Sequence, residues 1–390
     1  MAAQAANSHA APSLRRELRV RDTGAGPVDV QGGRLLIHAA SNNYLGLATD
    51  ERVIAAAKTA AEQWGAGAGA SPLVAGHFQL HQDLALAAAQ LKGQEAALLF
   101  SSGYQANLAA VTALATSDDV IFCDTLNHAS LIDGCRFSKA AVQYYRHDNL
   151  THLEKLLSLT PVTGNRWIVT DGVFSMDGVL APLAALCELA DHYDAKIVLD
   201  DAHATGVLGE KGAGTAEHLG LCNNVDLQIG TFSKALGSQG GFIAGPRELI
   251  EELVQRARPL IFSTALAPPV AGAALAALQI VREEPERRRR QLESMARLRH
   301  GLADQGWNVI GEESAPMCAV IVGSPDGALA LSSRLYSQGV LAPAIRPPTV
   351  RRGTSRIRLA LMATHTDQHI QKILDAFAEA AEHFGTKGLA

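Results

Sequence analysis

The amino-acid sequence predicts an α/β fold, with a large domain on a mostly parallel sheet followed by a smaller C-terminal α+β domain. Three observations predict it. The chain has 390 residues, 47% of them hydrophobic and 19% charged, which exceeds one typical domain and supplies a sizeable core. Between about residues 47 and 282, short apolar runs alternate with amphipathic helical stretches, the pattern of βα units. Near Glu283 a charged run, Arg282 to Arg290, interrupts that pattern. Three regions follow: 1–46 as an N-terminal segment, 47–282 as the large domain and 283–390 as the small one.

Within the N-terminal segment, Ser13 to Arg21 is rich in Arg and Leu and reads as a surface helix, and Arg34–Ala39 reads as a strand. In the large domain five apolar runs end in polar or glycine residues. Ala96–Phe100 runs into Ser101-Ser102-Gly103-Tyr104, and Val120–Cys123 into Asp124. Trp167–Val169 runs into Thr170-Asp171-Gly172, and Lys196–Leu199 into Asp200-Asp201-Ala202-His203. Leu227–Ile229 runs into Gly230-Thr231-Phe232-Ser233-Lys234. Ligands of open α/β sheets bind outside the carboxyl ends of the strands, so five such ends mark where a site should form. The charged run reads as a solvated helix face. Beyond it, Cys318–Val322 and Arg356–Leu361 read as strands, Ala328–Gln338 as a helix, and Asp367 opens a terminal amphipathic helix.

Composition excludes several classes of function. A net charge of −5 carries no basic footprint for nucleic acid. The five cysteines are scattered and form no CxxC pair, so neither a zinc site nor a disulfide framework is expected. Met1 to Pro12 lacks the basic start and apolar stretch of a signal peptide. No uncharged apolar run reaches the ~18 residues of a membrane span. The expectation is a cytoplasmic, soluble protein.

Lys234 follows a strand in Ser-Lys-Ala-Leu-Gly, where partial desolvation would free its amine for Schiff-base chemistry. Taken alone it reads better as a surface lysine, and its company changes that. Asp200 and Asp201 close a buried strand, and neighbours on a strand face opposite sides, so one of them points at a given ligand. A carboxylate beneath a pyridine nitrogen keeps that nitrogen protonated and makes the ring an electron sink. His203 lies within reach of the same ring. The Ser102-Gly103-Tyr104 turn opens a helix, where backbone N–H groups suit a phosphate, although it reads equally as an ordinary βα turn. His128 could stack on a flat ring or be structural. Glycines 65, 67 and 69 lack the dinucleotide spacing and a preceding strand, so they do not form a Rossmann loop.

With these pieces in place, the sequence closely resembles the α-oxoamine synthases. These are pyridoxal-phosphate transferases of fold type I, the aspartate aminotransferase-like superfamily. The resemblance runs from about Ser41 to Thr366. It rests on Ser-Asn-Asn-Tyr-Leu-Gly-Leu (41–47), Asn-His-Ala-Ser-Leu (127–131) and Asp-Gly-Val-Phe-Ser-Met-Asp-Gly (171–178). Asp-Asp-Ala-His-Ala-Thr-Gly (200–206), Thr-Phe-Ser-Lys-Ala-Leu-Gly (231–237) and Arg-Ile-Arg-Leu (356–359) complete it. The acidic residue that usually follows the Leu of a His-x-x-Leu-Glu pattern is absent here (His81 to Ala85).

The resemblance implies a seven-stranded sheet, pyridoxal 5'-phosphate as cofactor, and a homodimer with its site at the subunit interface. It implies that Lys234 carries the cofactor as a Schiff base and moves the α-proton. Asp200 would pair with the ring nitrogen and His128 would stack on the ring where it also meets substrate. Ser175 and His203 would bracket the phenolic oxygen. Gly103, Tyr104 and Thr231 would hold the phosphate, joined by Ser263 or Thr264 of a second subunit. Asn42 and Arg358 would take the amino-acid carboxylate, while Arg16 and Thr349 would contact the acyl substrate. Ile345 to Val350 and Asp200 to Gly206 resemble the biotin-pathway branch, which implies L-alanine and pimeloyl-CoA or pimeloyl-acyl carrier protein as substrates. Asp171 to Val179 is shared with the glycine acetyltransferase branch. A glycine-using acyltransferase, an aminotransferase and a catalytically silent binding subunit are the alternatives.

Overall fold

The computed structural model describes residues 12–18 and 20–384. The stretch before Pro12 and Arg19 lie outside the described residues. The chain divides into two compact units. The larger is Asn43–Ser175 with Val179–Arg289; the smaller joins the chain up to Asn42, Met176–Gly178 and the chain from Arg290.

In the larger unit, seven strands form one sheet: β1 (Ala96–Phe100), β2 (Val120–Asp124), β3 (Ala141–Tyr145), β4 (Arg166–Asp171), β5 (Ala195–Asp200), β6 (Leu227–Thr231) and β7 (Gly241–Gly245). Their order is β1-β7-β6-β5-β4-β2-β3. Only β7 runs against its neighbours, pairing antiparallel with β6 and β1. Helices cover both faces: α1 (Glu51–Trp64), α2 (Gln79–Lys92), α3 (Gly103–Leu114), α4 (Ala129–Phe137), α5 (Leu150–Leu159), α6 (Leu183–Tyr193), α7 (Arg247–Arg256) and α8 (Pro268–Glu283).

Strand residues alternate between two cores, as the pleat requires. Ile121, Cys123, Trp167, Val169 and Val198 pack with α3, α4 and α7. Val120, Phe122, Ile168, Ile197 and Leu199 pack with α5 and α6. Burial on both faces explains why these strands read as continuous apolar runs. α8 lies close on α1, because a Cβ at Gly272 would stand 2.6 Å from that of Ala60.

The charged run departs from its expected solvated face. Arg287 pairs with Asp50 (2.9 Å) and Glu284, and Arg52 pairs with the same two carboxylates. Arg52 is the chief cause that holds the Asp50 carboxyl at about 2, and Asp50 caps α1 through the Arg52 backbone N–H. Arg288 is buried and donates to the carbonyls of Val281 (2.7 Å) and Glu210. Partners distant in the chain turn a solvated-looking run into an anchor.

The smaller unit holds a four-stranded sheet of Val309–Ile310, Met317–Gly323, Ser355–Ala360 and Ala344–Ile345, all antiparallel. A second sheet pairs Val28–Gln31 antiparallel with Arg34–His38, and Arg34–His38 parallel with Val340–Leu341. That pairing draws the N-terminal segment into the same unit as the C-terminal lobe. Met295, Leu298, Trp307, Val320, Leu331 and Phe377 form its core with Ile37. The helix expected over Ser13–Arg21 is absent among the described residues: a 3-10 turn at Pro12–Leu14 gives way to irregular chain. Leu18 and Val20 face solvent, so no apolar face is buried to stabilise so short a helix.

Two histidines of this unit, His38 and His365, are 8% and 1% exposed. Burial is the main cause that pushes each ring down to about 4. The unfolded chain protonates both rings below about pH 6.5, the folded chain only near 4. Stability is therefore fully present above that window and falls as pH drops through it, by up to ~3 kcal/mol per ring. Urea midpoints from pH 7 to 4.5 should decline less steeply in a His38→Gln, His365→Gln variant; an unchanged slope would assign the acid sensitivity to other groups.

Candidate active site

The carboxyl ends of β1, β2, β4, β5 and β6 meet around one cavity of about 200 Å³ in the larger unit. It is lined by Ser102, Gly103, Tyr104, Asn107, His128, Ser130, Asp171, Val173, Asp200, Ala202, His203, Thr231, Ser233 and Lys234. A larger cleft of about 590 Å³ between α2 and α8 includes none of these residues, so volume is a poor guide to the chemistry here.

The strand pleat separates the paired acids as expected. Asp200 faces the cavity, where Asn107 Nδ2 donates to its Oδ2 and the Ala202 N–H to its Oδ1 (2.9 Å). Asp201 faces away and is fully buried. It pairs with Lys92 at 2.8 Å and accepts the Thr215 N–H, while Lys92 also donates to the Ala213 carbonyl.

A hydrogen-bond chain carries order from Asp200 to His128. Asn107 Nδ2 also donates to Ser130 Oγ (2.8 Å), which lies 2.6 Å from His128 Nδ1. The Ser130 backbone N–H also donates to Nδ1 (3.3 Å), which makes Nδ1 an acceptor, assigns the hydroxyl as its second donor and leaves the ring proton on Nε2. Burial, the largest cause, and the Lys234 charge push His128 below its ordinary value, against the pull of Asp200. A neutral, fixed imidazole results. His203 is oriented too, with Nδ1 2.6 Å from the Tyr44 hydroxyl.

At the opposite end, Ser102 caps α3, its Oγ accepting the Gln105 N–H. Thr231 donates to the Gly240 carbonyl (2.7 Å), with its Oγ1 2.7 Å from Ser233 Oγ. A Cβ at Gly241 would stand 2.7 Å from Gly103 N, so only glycine lets β7 support the start of α3 this closely. The backbone N–H groups at the start of α3 form a donor set suited to a phosphate, with the Thr231 and Ser233 hydroxyls beside it. A carboxylate for a cationic ring nitrogen, a flat imidazole and a primary amine complete a set whose chemistry fits pyridoxal phosphate.

Most of the sequence-predicted cofactor residues line this cavity: Gly103, Tyr104, His128, Asp200, His203, Thr231 and Lys234. Ser175 follows the short strand Val173–Phe174 and is outside the lining. Ser263 and Thr264 also lie outside it. Ser263 Oγ accepts from Gln105 Nε2 (3.5 Å) and the Thr264 carbonyl accepts from Ser101 Oγ (3.0 Å). In the smaller unit, Arg358 donates to Asn42 Oδ1 at 3.1 Å. There too, Arg16 donates to Thr349 Oγ1 at 2.9 Å across a cleft of about 400 Å³ that also includes Leu14, Ile345 and Arg346.

Sequence reasoning missed Asn107, Ser130, Asp171 and Lys92 as site or supporting residues. Asn107 offered a signal, a polar residue within the apolar stretch Ala106 to Leu114. Lys92 offered none, since a lysine near a helix end is commonplace.

The family model for aminotransferase class I and II matches residues 36–377. An 8-amino-7-oxononanoate synthase from Anaeromyxobacter dehalogenans (strain 2CP-1 / ATCC BAA-258) is 49% identical over 368 residues, 94% of this chain and 92% of the relative. Serine palmitoyltransferase from S. paucimobilis, solved with a bound PLP–myriocin aldimine, superposes with a TM-score of 0.92. It is 31% identical and covers 94% of this chain and 93% of its own. The structure of 8-amino-7-oxononanoate synthase from Francisella tularensis has a TM-score of 0.76 at 25% identity, over 89% of this chain and 98% of that one.

Proposed function

Because the chain belongs to the 8-amino-7-oxononanoate synthases, within the class I and II aminotransferase family, we propose that it condenses L-alanine with a pimeloyl thioester. The thioester carrier is CoA or acyl carrier protein. Carbon dioxide and the free thiol carrier leave, and 8-amino-7-oxononanoate is the product, a step of biotin biosynthesis in the cytoplasm. The observation that supports this best is the single cavity shared by Lys234, Asp200, His128 and the start of α3.

When bound, pyridoxal 5'-phosphate supplies an electron sink for charge developing at the α-carbon. Lys234 would hold the cofactor and, as a free amine, would take the α-proton of alanine and return a proton to that carbon after carbon dioxide has left. Asp200 keeps the ring nitrogen cationic. His128 would cover the ring and the incoming amino acid, and His203 would serve the phenolic oxygen side, where the family resemblance also puts Ser175. Gly103, Tyr104 and Thr231 grip the phosphate, with Ser233 beside them. The active form is a homodimer in which Ser263 or Thr264 of the partner subunit joins that grip.

Arg358, oriented by Asn42, takes the alanine carboxylate. Arg16 and Thr349 take the acyl chain, whose terminal carboxylate suits a guanidinium fork. Arg358→Ala should raise the KM for alanine by tenfold or more with little change for the thioester, and Arg16→Ala should do the reverse. If both variants shift the same KM, the two roles are wrong.

Mass spectrometry of products tests the reaction itself. Alanine with pimeloyl-CoA should yield 8-amino-7-oxononanoate and CoA in preference to products of glycine or serine with acetyl-CoA or palmitoyl-CoA. Turnover confined to one of those other pairs would overturn the assignment.

A further inference from the structure

We propose that Asp171 is a positioning residue held as a neutral carboxylic acid, which leaves Asp200 the one carboxylate charge in the cavity and ties down the backbone of His128. The inference rests on reading the cavity as the pyridoxal-phosphate site.

Among the described residues, Asp171 and Asp200 are the two acids lining the cavity. They are also register partners at the ends of the neighbouring parallel strands β4 and β5. Side chains at paired positions project from the same face, with backbones ~4.8 Å apart. Two carboxylates that close, both nearly fully buried (4% and 6% exposed), cannot both hold a charge cheaply.

The donors around them decide which keeps the proton. Asp200 accepts a separate hydrogen bond at each oxygen, from Asn107 and Ala202, which favours its anion. Asp171 accepts one N–H, that of His128, shared between its oxygens at 3.1 and 3.2 Å. The groups around Asp171 are Asp200 on β5, Asp124 on β2, Tyr145 on β3, the His128 N–H ahead of α4, and Lys234 after β6. Lys234 and the His128 N–H are the two that favour its charge. Burial and the Asp200 charge outweigh them and push the Asp171 carboxyl well above the ordinary carboxylate range.

This arrangement divides the labour. An ionised Asp171 would compete with Asp200 for a cationic ring nitrogen; a neutral one leaves that pairing to Asp200 and still accepts the His128 N–H.

Infrared spectroscopy of the full-length chain at pH 7 tests it, before and after pyridoxal phosphate is added. A carbonyl band of a buried carboxylic acid should be present in the wild type and missing in Asp171→Asn. Asp171→Leu, which also lacks an acceptor for His128, should weaken cofactor affinity at least tenfold more than Asp171→Asn does. Absence of the acid band from the wild type, or equal losses in the two variants, would overturn the proposal. The cofactor reading fails separately, if the wild type develops no visible absorbance on adding pyridoxal phosphate. The infrared band does not depend on that result.

Discussion

Lys234→Ala is expected to abolish the shifted visible absorbance of bound cofactor and to lower kcat by roughly 10⁴-fold or more. Among the described residues Lys234 is the one primary amine lining the cavity, so no neighbour there can replace it in either holding the cofactor or moving the α-proton. Lys234→Arg should be nearly as severe. It restores a positive charge beside His128 and Asp171, but a guanidinium stays protonated and serves as neither nucleophile nor base. Both variants should keep wild-type unfolding midpoints. Single-turnover rates with alanine and pimeloyl-CoA measure the loss, and near-wild-type turnover in either variant would remove Lys234 from the chemistry.

The largest effect on stability is expected from Lys92→Ala, at about 3–5 kcal/mol. Both partners of the Lys92–Asp201 pair are fully buried, and the lysine amine also satisfies the Ala213 carbonyl. Removing the amine leaves a carboxylate in the core with only the Thr215 N–H and its own surroundings to offset it. Replacing both partners, Lys92→Met with Asp201→Leu, removes the uncompensated charge and should recover most of the loss. Denaturant midpoints read the difference; a double variant as weak as the single would locate the cost in packing instead of charge. Because Asp201 adjoins Asp200, the single variant should also weaken cofactor affinity.

Much of the larger unit was legible because its sheet is buried on both faces. Continuous apolar runs such as Val120–Cys123 and Ile197–Leu199 announce central strands, and polar residues follow them at the strand ends. The same reasoning pointed to Gly103, His128, Asp200 and Lys234, which lie at or shortly after strand ends and line one cavity. Ser130 was not legible because it sits within a helix, where a polar residue ordinarily means a solvated face; Asn107 stood out in an apolar stretch, but its partners, Ser130 and Asp200, are remote in the chain. Arg287 and Arg288 misled for the complementary reason. Their acceptors, Asp50 and the Glu210 carbonyl, are remote in the chain, and no local pattern records them. The pairing of Arg34–His38 with Val340–Leu341 is likewise long-range, which is why the N-terminal segment looked separate. The irregular chain after Leu14 shows that Arg- and Leu-rich composition does not make a helix without a surface to cover.

The position of β7 bears on how the molecule comes to be active. The first strand of the sheet, β1, pairs with the last, β7, so the sheet is not closed at that edge until its final strand has been placed. The turn after β1 and the threonine ending β6 are brought together by that late, long-range closure, whose entropic cost is met before its contacts are gained. A phosphate bridging those two turns would act as a clasp across this long-range seam and would favour the folded chain by mass action.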